Sequence, residues 1–170
     1  MKKFVFCPYC RSKLLVGNIE GGRRRYCPGC GWINYINPVP VVAVIVSDRC
    51  SRLLLVKRSV APHKGRWSLP GGFLESGEGP VEAGRRELFE ETGLLGDFSQ
   101  LVGVCSQRSS QYGSVMVTGI SFAVDRFELS PGDDASDARF FTLKKLPEIP
   151  FSCHRKMVEL YRKRGYGLIP

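Results

Sequence analysis

Residues 72–94 read Gly72-Phe73-Leu74-Glu75-Ser76-Gly77-Glu78-Gly79-Pro80-Val81-Glu82-Ala83-Gly84-Arg85-Arg86-Glu87-Leu88-Phe89-Glu90-Glu91-Thr92-Gly93-Leu94. Pro80 suits a first helical turn and Gly93 a helix stop, so the stretch predicts a helix from about Pro80 to Thr92. At about 100° per residue, with Glu87 at zero, Glu91 falls near 40° and Glu90 near −60°. Three carboxylates therefore share one face, with the small residues Ala83 and Gly84 one turn earlier. Val81 and Leu88 lie roughly 100–120° round and form the core stripe, so the acids are not simply the side opposite the core. Like charges at these spacings destabilise a helix by about 0.3 kcal/mol per pair. Two readings of the glutamates compete: a solvated face neutralised by Arg85 and Arg86, or a site for a hard cation such as Mg(II) or Mn(II) that brings a substrate's phosphates with it.

The wider spacing decides between them. From Gly72 the chain runs five residues to Glu78, then seven more to Arg86-Glu87-Leu88-Phe89-Glu90-Glu91-Thr92-Gly93-Leu94. This resembles the signature box of the Nudix hydrolase family, with every fixed position matched over the 23 residues 72–94. The resemblance implies an α/β (α+β) class Nudix fold, a mixed β-sheet packed between helices, for roughly residues 38–150. It also implies metal-assisted attack of water on the diphosphate of a nucleoside diphosphate joined to a group X. Carried over by position, Glu87, Glu90 and Glu91 would ligate Mg(II) or Mn(II), and the Gly71 carbonyl would be a further ligand. Arg86 would orient a box glutamate through a salt bridge, and Glu78 would steady the turn into the helix or reach a metal through water. Nudix enzymes differ in their general base, either a box glutamate or a distant loop acid. Here the loop source is Asp133, Asp134 or Asp137, with Asp134 the residue to test; turn-forming and strand-capping aspartates are the alternative use of each.

The first 36 residues carry Cys7-Pro8-Tyr9-Cys10 and Cys27-Pro28-Gly29-Cys30. Each pair lets two thiolates of a tight turn face one ion, and two such turns complete a four-sulfur Zn(II) site. Lys13–Val16 and Arg23–Tyr26 predict short strands around Gly21-Gly22, the layout of a zinc ribbon. So short a piece depends on its metal for folding. The domain reading is therefore a zinc ribbon over 1–36 and a Nudix domain over 37–170, closed by a helix at about 152–164 that Ser152 would cap and Gly165 would end. Cys50, Cys105 and Cys153 have no spacing partner and read as free thiols.

Strands are expected at Val41–Val46 and Leu53–Lys57, forming a buried hairpin, then near Leu101–Ser106, Val115–Val124 and Arg139–Thr142. The 170 residues are 43% hydrophobic and 11% aromatic, which excludes disorder, and no apolar run is long enough to span a membrane. Met1-Lys2-Lys3 leads to only three apolar residues before Cys7, so no signal peptide is read and a cytoplasmic location is expected. Net charge is +9, which suggests nucleic acid until it is partitioned. Residues 1–36 hold seven Lys/Arg and one Glu, residues 37–150 hold 13 bases against 14 acids, and residues 151–170 hold five against one. The excess sits at the ends, and the middle is locally acidic.

Arg58 and Arg66 are candidates for phosphate contact, because the planar guanidinium fork suits phosphate oxygens. Trp67 and Phe73 would stack on a base or pack in the core, while His63 and His154 receive no chemistry. A ribbon followed by a Nudix domain is similar to two subgroups: NADH pyrophosphatases, and enzymes acting on ADP-ribose or FAD. The first carries Gln-Pro-Trp-Pro-Phe-Pro after the box, where this chain has Ser106-Gln107-Arg108-Ser109-Ser110-Gln111-Tyr112. ADP-ribose or FAD is therefore favoured, with release of a nucleoside monophosphate and with Tyr112 or Arg108 lining the pocket. NADH and nucleoside triphosphates are the alternatives. A regulator that binds nucleic acid through the ribbon and its Arg23-Arg24-Arg25 run is the disfavoured one, since a sensor has no need of three metal-binding glutamates. Related enzymes are commonly dimers, so a homodimer is expected. Gly84, where many relatives have alanine, should cost the helix about 1 kcal/mol.

Overall fold

The computed structural model describes residues 4–164. The chain divides into two compact units, residues 1–38 with 108–114, and residues 39–107 with 115–170.

In the first unit, strands β1 (Leu15–Ile19), β2 (Gly22–Tyr26) and β3 (Ile33–Asn34) form one antiparallel sheet in that order. Gly21, at φ 73°, supplies the left-handed turn between β1 and β2. Cys7, Leu14 and Cys27 are the buried centre, with Trp32 packed on them. So small a core is why the two cysteine knuckles are needed.

The second unit holds β4 (Val39–Ile45), β5 (Arg52–Arg58), β6 (Trp67–Ser68), α1 (Pro80–Thr92), β7 (Asp97–Ser109), β8 (Gly113–Ala123), β9 (Ala135–Thr142) and α2 (Ser152–Lys163). The tip of the β7–β8 hairpin belongs to the first unit. Two three-stranded sheets run β4-β8-β7 and β6-β5-β9, with β4 parallel to β8 and β5 antiparallel to both its neighbours. This corrects the expected hairpin. β4 and β5 join only where they meet, through the Ser47–Leu53 bridge and the Leu54 N–H to Val46 O bond of 2.9 Å, and then part into different sheets. Their continuous apolar runs signalled burial on both faces, not mutual pairing.

Val42, Val44, Leu54, Val56, Ile120 and Phe122 form one core with Ala83 and Leu88 of α1. Met157, Val158 and Tyr161 of α2 are buried too; a side chain at Gly119 of β8 would collide with Met157, and Ser47 Oγ meets Tyr161 Oη at 2.8 Å. The strands are thus covered by a helix on each side. Gly93, at φ 72°, ends α1 as expected, its N–H reaching Phe89 O. The N-cap of α2 is Phe151, not Ser152; Gln107 of β7 does the capping, its Oε1 accepting from Ser152 Oγ and Cys153 N–H, both at 3.0 Å. The expected helix stop, Gly165, lies outside the described residues. Cys105 of β7 and Cys153 of α2 are joined as a disulfide, with Cα atoms 6.1 Å apart, so they are not the free thiols expected; Cys50 is free and exposed. Their separation of 48 residues left no spacing to read. Among the described residues, no helix is long and apolar enough to cross a membrane.

Candidate active site

The site is built on a loop that only glycine permits. Pro70 to Gly72 lies against β4, where Val44 N–H donates to Pro70 O at 2.8 Å and Val42 N–H to Gly72 O at 2.9 Å. Gly71 has φ 142°, and a Cβ there would run into the Val42 carbonyl. With both neighbours' carbonyls turned to β4, the Gly71 N–H donates to Glu91 Oε2 at 2.9 Å. The Glu87 carboxylate occupies the space that a Gly72 side chain would need.

α1 delivers its acids at graded depth. Glu91 is 3% exposed, and burial first pushes its carboxyl up to about 8; the Gly71 N–H and the Arg58 charge oppose that rise, whereas Glu87 and Asp134 add to it. Glu87 is also raised, by burial first, with Arg86 pulling it down and Glu90 and Asp133 pushing it up. Glu90 is more open, its side chain 40% exposed. Arg86 is the internal counter-charge. Its Nε and Nη2 hold the two oxygens of Glu78 at 2.8 and 3.0 Å, Nη1 reaches Glu87 at 2.9 Å and Glu90 at 3.1 Å, and Nη2 also donates to Phe73 O at 3.0 Å. This fork holds Glu78 down at about 2 and pins the loop before α1 to the helix.

Two acids from the loop before β9 complete the cluster. Asp133 and Asp134 are near enough to shift Glu87 and Glu91, and Ser59 N–H fixes the loop by donating to Asp134 O at 2.7 Å. Asp137 is engaged elsewhere, paired with Arg139 at 2.7 Å. Glu78, Glu87 and Glu90 thus share one guanidinium, and the charges of Asp133 and Asp134 reach Glu87 and Glu91, so the region is strongly negative and rich in carboxylate oxygens. Such a set suits a hard divalent cation.

The other sequence candidates fall in different places. Arg58 donates from Nε to Pro62 O at 2.7 Å and lies 5.4 Å from the Phe151 ring centre, so it organises the loop after β5 while its charge still reaches Glu91. Arg66 pairs with Glu148 at 3.1 Å. Trp67 packs edge-on to Phe141 at 4.8 Å, which matches its core use, whereas Phe73 is 42% exposed. Tyr112 belongs to the first unit, its N–H donating to Ser109 Oγ at 3.1 Å. His154 is buried with Nδ1 unpartnered among the described residues, and burial, assisted by Arg58, lowers it to about 3. Gly84 has a packing reason that sequence could not show: a Cβ there would lie 2.5 Å from Ile120 Cδ1 and 3.0 Å from Phe122 Cε2.

In the first unit, the Cys7, Cys10, Cys27 and Cys30 sulfurs lie within 4.8 Å of one another and form a set that can hold a metal ion, as the ribbon layout requires.

A glycine loop, a carboxylate helix and a two-sided helical cover define a metal-assisted phosphohydrolase of the Nudix class. The chain belongs to the NUDIX family: the NUDIX domain matches residues 37–161. It is 39% identical over 135 residues to the ADP-ribose pyrophosphatase of Methanocaldococcus jannaschii, covering 78% of each chain. It is 33% identical over 146 residues to the NAD-capped RNA hydrolase NudC of Chromobacterium violaceum, covering 85% of this chain and 52% of that one. The chain thus spans about half the length of that hydrolase. Among solved structures, a NUDIX hydrolase from Nitrosomonas europaea superposes with TM-score 0.76 at 27% identity, covering 98% of this chain and 95% of that one.

Proposed function

We propose that this chain hydrolyses the diphosphate linkage of ADP-ribose, with FAD the next substrate of the same class, releasing a nucleoside monophosphate. The observation that carries the reading is the Glu91 carboxylate, buried within reach of the charges of Glu87 and Asp134 and, among the described residues, bonded only by the Gly71 N–H, an arrangement that a cation would stabilise. Similarity to the M. jannaschii ADP-ribose pyrophosphatase over 78% of both chains supports the substrate.

Glu87, Glu90 and Glu91, with the Gly71 carbonyl, would hold Mg(II) or Mn(II). Such a metal, when bound, would supply neutralisation of the diphosphate charge, polarisation of phosphorus and a lowered pKa of water. Arg86 holds Glu87 and Glu90 in position and Glu78 anchors Arg86, so the ligand face is pre-set by the helix. Asp134 takes the proton from the attacking water; the water oxygen bonds to phosphorus as the bridging P–O bond breaks, and the bridging oxygen leaves on the second phosphate. Arg58 contributes positive charge on the phosphate side, Arg66 would do so by exchanging Glu148 for phosphate, and half-exposed Phe73 offers a ring to the base.

In the ribbon, residues 1–36, the four cysteines would hold Zn(II): zinc–sulfur bonds of about 2.3 Å set tetrahedral sulfurs about 3.8 Å apart, against Cys7–Cys30 and Cys10–Cys27 separations of 3.5 and 3.2 Å. The Nudix domain, 37–170, would form a homodimer through the edge strand β7, whose Phe98, Leu101 and Val104 are exposed.

A second reading, NADH or another NAD-type dinucleotide, is favoured by the similarity to NudC. A Mg(II) and Mn(II) panel of ADP-ribose, FAD, NADH, nucleotide sugars and triphosphates decides, with Glu91→Gln as the blank. AMP release from ADP-ribose above all others supports the reading, preference for NADH moves it to the second, and pyrophosphate release from triphosphates excludes both. Equal inactivity of wild type and blank on every substrate would sink the enzyme reading.

A further inference from the structure

We infer that the ribbon sheet carries a binding surface for single-stranded nucleic acid, separate from the hydrolytic site and independent of which diphosphate is cleaved. Directly paired residues of an antiparallel sheet lie on one face. Val16 pairs with Arg25, Arg25 with Asn34, and Asn18 with Arg23. These five residues therefore share a face that contains no acid. Arg23 and Arg25 are two residues apart, so about 7 Å along the strand. No carboxylate among the described residues forms a salt bridge with either. Their neighbour Arg24, on the other face, is by contrast tied to the Ile19 and Glu20 carbonyls and lies over the Tyr35 ring. Glu20, the one acid in residues 1–36, accepts from Tyr35 Oη at 2.7 Å.

Cys27 N–H donates to Trp32 O at 2.7 Å, so the β2–β3 register continues one residue before β3 and alternation puts Trp32 on the same side as Asn34. There its ring gathers Phe4, edge-on at 5.9 Å, and Tyr9, tilted at 6.2 Å. Of these three rings, Trp32 is the one packed on the buried Cys7, Leu14 and Cys27, whereas Tyr9 stands 77% exposed and Phe4 52%. Exposed aromatic rings on the same face as arginines that no described carboxylate neutralises are the two elements of a single-strand platform: rings stack on unpaired bases whatever their sequence, and arginines follow the phosphates. A duplex keeps its base faces covered, so it would engage the arginines alone. The excess of seven bases over one acid in residues 1–36 selects a polyanion over another copy of this equally basic chain.

The test is fluorescence anisotropy of the full chain with labelled oligouridylate, oligothymidylate and duplex DNA, each of about 12 nucleotides, between about 50 and 200 mM salt. Both single strands should bind more tightly than the duplex. Tyr9→Ala should weaken single-strand binding roughly 5- to 100-fold with an unchanged salt slope. The Arg23→Glu/Arg25→Glu pair should weaken it at least about tenfold and flatten the slope by about 1.4, whereas Arg23→Lys/Arg25→Lys should keep the slope. Zinc content and near-UV circular dichroism of each variant establish that the ribbon is folded. Absence of binding at the lowest salt, equal binding of duplex, or folded variants that bind like wild type would overturn the inference. So would sedimentation showing that Tyr9→Ala disrupts self-association while leaving oligonucleotide affinity intact.

Discussion

Glu91→Gln should make the metal-free protein more stable while destroying its response to metal. The carboxyl is 3% exposed and raised to about 8 by burial first, with Glu87 and Asp134 adding to it, against about 4.3 in an unfolded chain. A carboxyl raised on folding contributes stability that is fully present below the unfolded value and is lost as pH climbs through the folded one. Between pH of about 4.3 and 8, metal-free wild type should therefore weaken from this group, by up to about 4 kcal/mol at pH 7.5. Glutamine keeps the shape and an oxygen for the Gly71 N–H, but has no charge to bury. At roughly 2–4 °C per kcal/mol for a chain of this size, Tm at pH 7.5 in metal-stripped buffer should rise by at least about 3 °C. The gap should close toward pH 5. Saturating Mg(II) should raise the wild-type Tm more than the variant's, reversing the order. Scanning fluorimetry at both pH values, with and without Mg(II), measures all of this. A variant no more stable than wild type at pH 7.5, or equally stabilised by Mg(II), would refute the account of Glu91 as a charge held in store for a cation.

Three other substitutions separate packing from chemistry. Gly72→Ala places a methyl 2.7 Å from the Glu87 carboxylate carbon, so turnover should fall roughly 100-fold with little change in the urea midpoint; unchanged turnover would remove Glu87 from the site. Gly84→Ala should destabilise by about 1–2 kcal/mol despite alanine's better helix propensity, because the new methyl overpacks against Ile120. Adding Ile120→Val, which deletes the crowding Cδ1, should recover most of the loss in urea unfolding, and a single variant more stable than wild type would contradict this. Reduction of the Cys105–Cys153 bond, which closes 48 residues, should cost at most about 4 kcal/mol, the loop-entropy value for that length. Urea unfolding with and without a phosphine reductant should show that loss in wild type and none in Cys105→Ser; an unmoved wild-type midpoint would mean the bond adds nothing.

What could be read from the chain beforehand follows from how local the physics is. The helix Pro80–Thr92, its αL stop at Gly93 and the two knuckles are set by residues within one or two turns of each other, and the structure has them where spacing put them. The pairing of β4 with β8, not β5, depends on partners about 75 residues away, and an all-apolar strand carries no facing pattern to reveal its neighbour. Gln107 as the cap of α2 and Cys105 as the partner of Cys153 are the same problem in miniature: each is a contact between β7 and α2 that local sequence does not encode. Gly84 is the reverse case. Read as a weak point in a helix, it is a contact point, since the absent side chain is what lets α1 approach Ile120 and Phe122.

The two concentrations of like charge in this chain differ in shape, and shape separates their partners. The acids converge. Glu87 lies against Gly72 and Glu91 against the Gly71 N–H, the charges of Asp133 and Asp134 reach them from another loop, and Arg86 is already divided among Glu78, Glu87 and Glu90. A point charge of small radius relieves that repulsion best, because several oxygens contact it at once. The ribbon arginines diverge. Arg23 and Arg25 lie along β2, about 7 Å apart, with no salt bridge to either among the described residues, and exposed rings stand on Trp32 of the same unit. With the proposed single strand bound, relief there would come from charge repeated at intervals along a chain that also offers flat apolar faces. The net charge of +9 therefore conceals two opposed local fields, the carboxylates around α1 and the basic ribbon, with further basic residues in 151–170, and the proposed cation and polyanion partners each require their own assay.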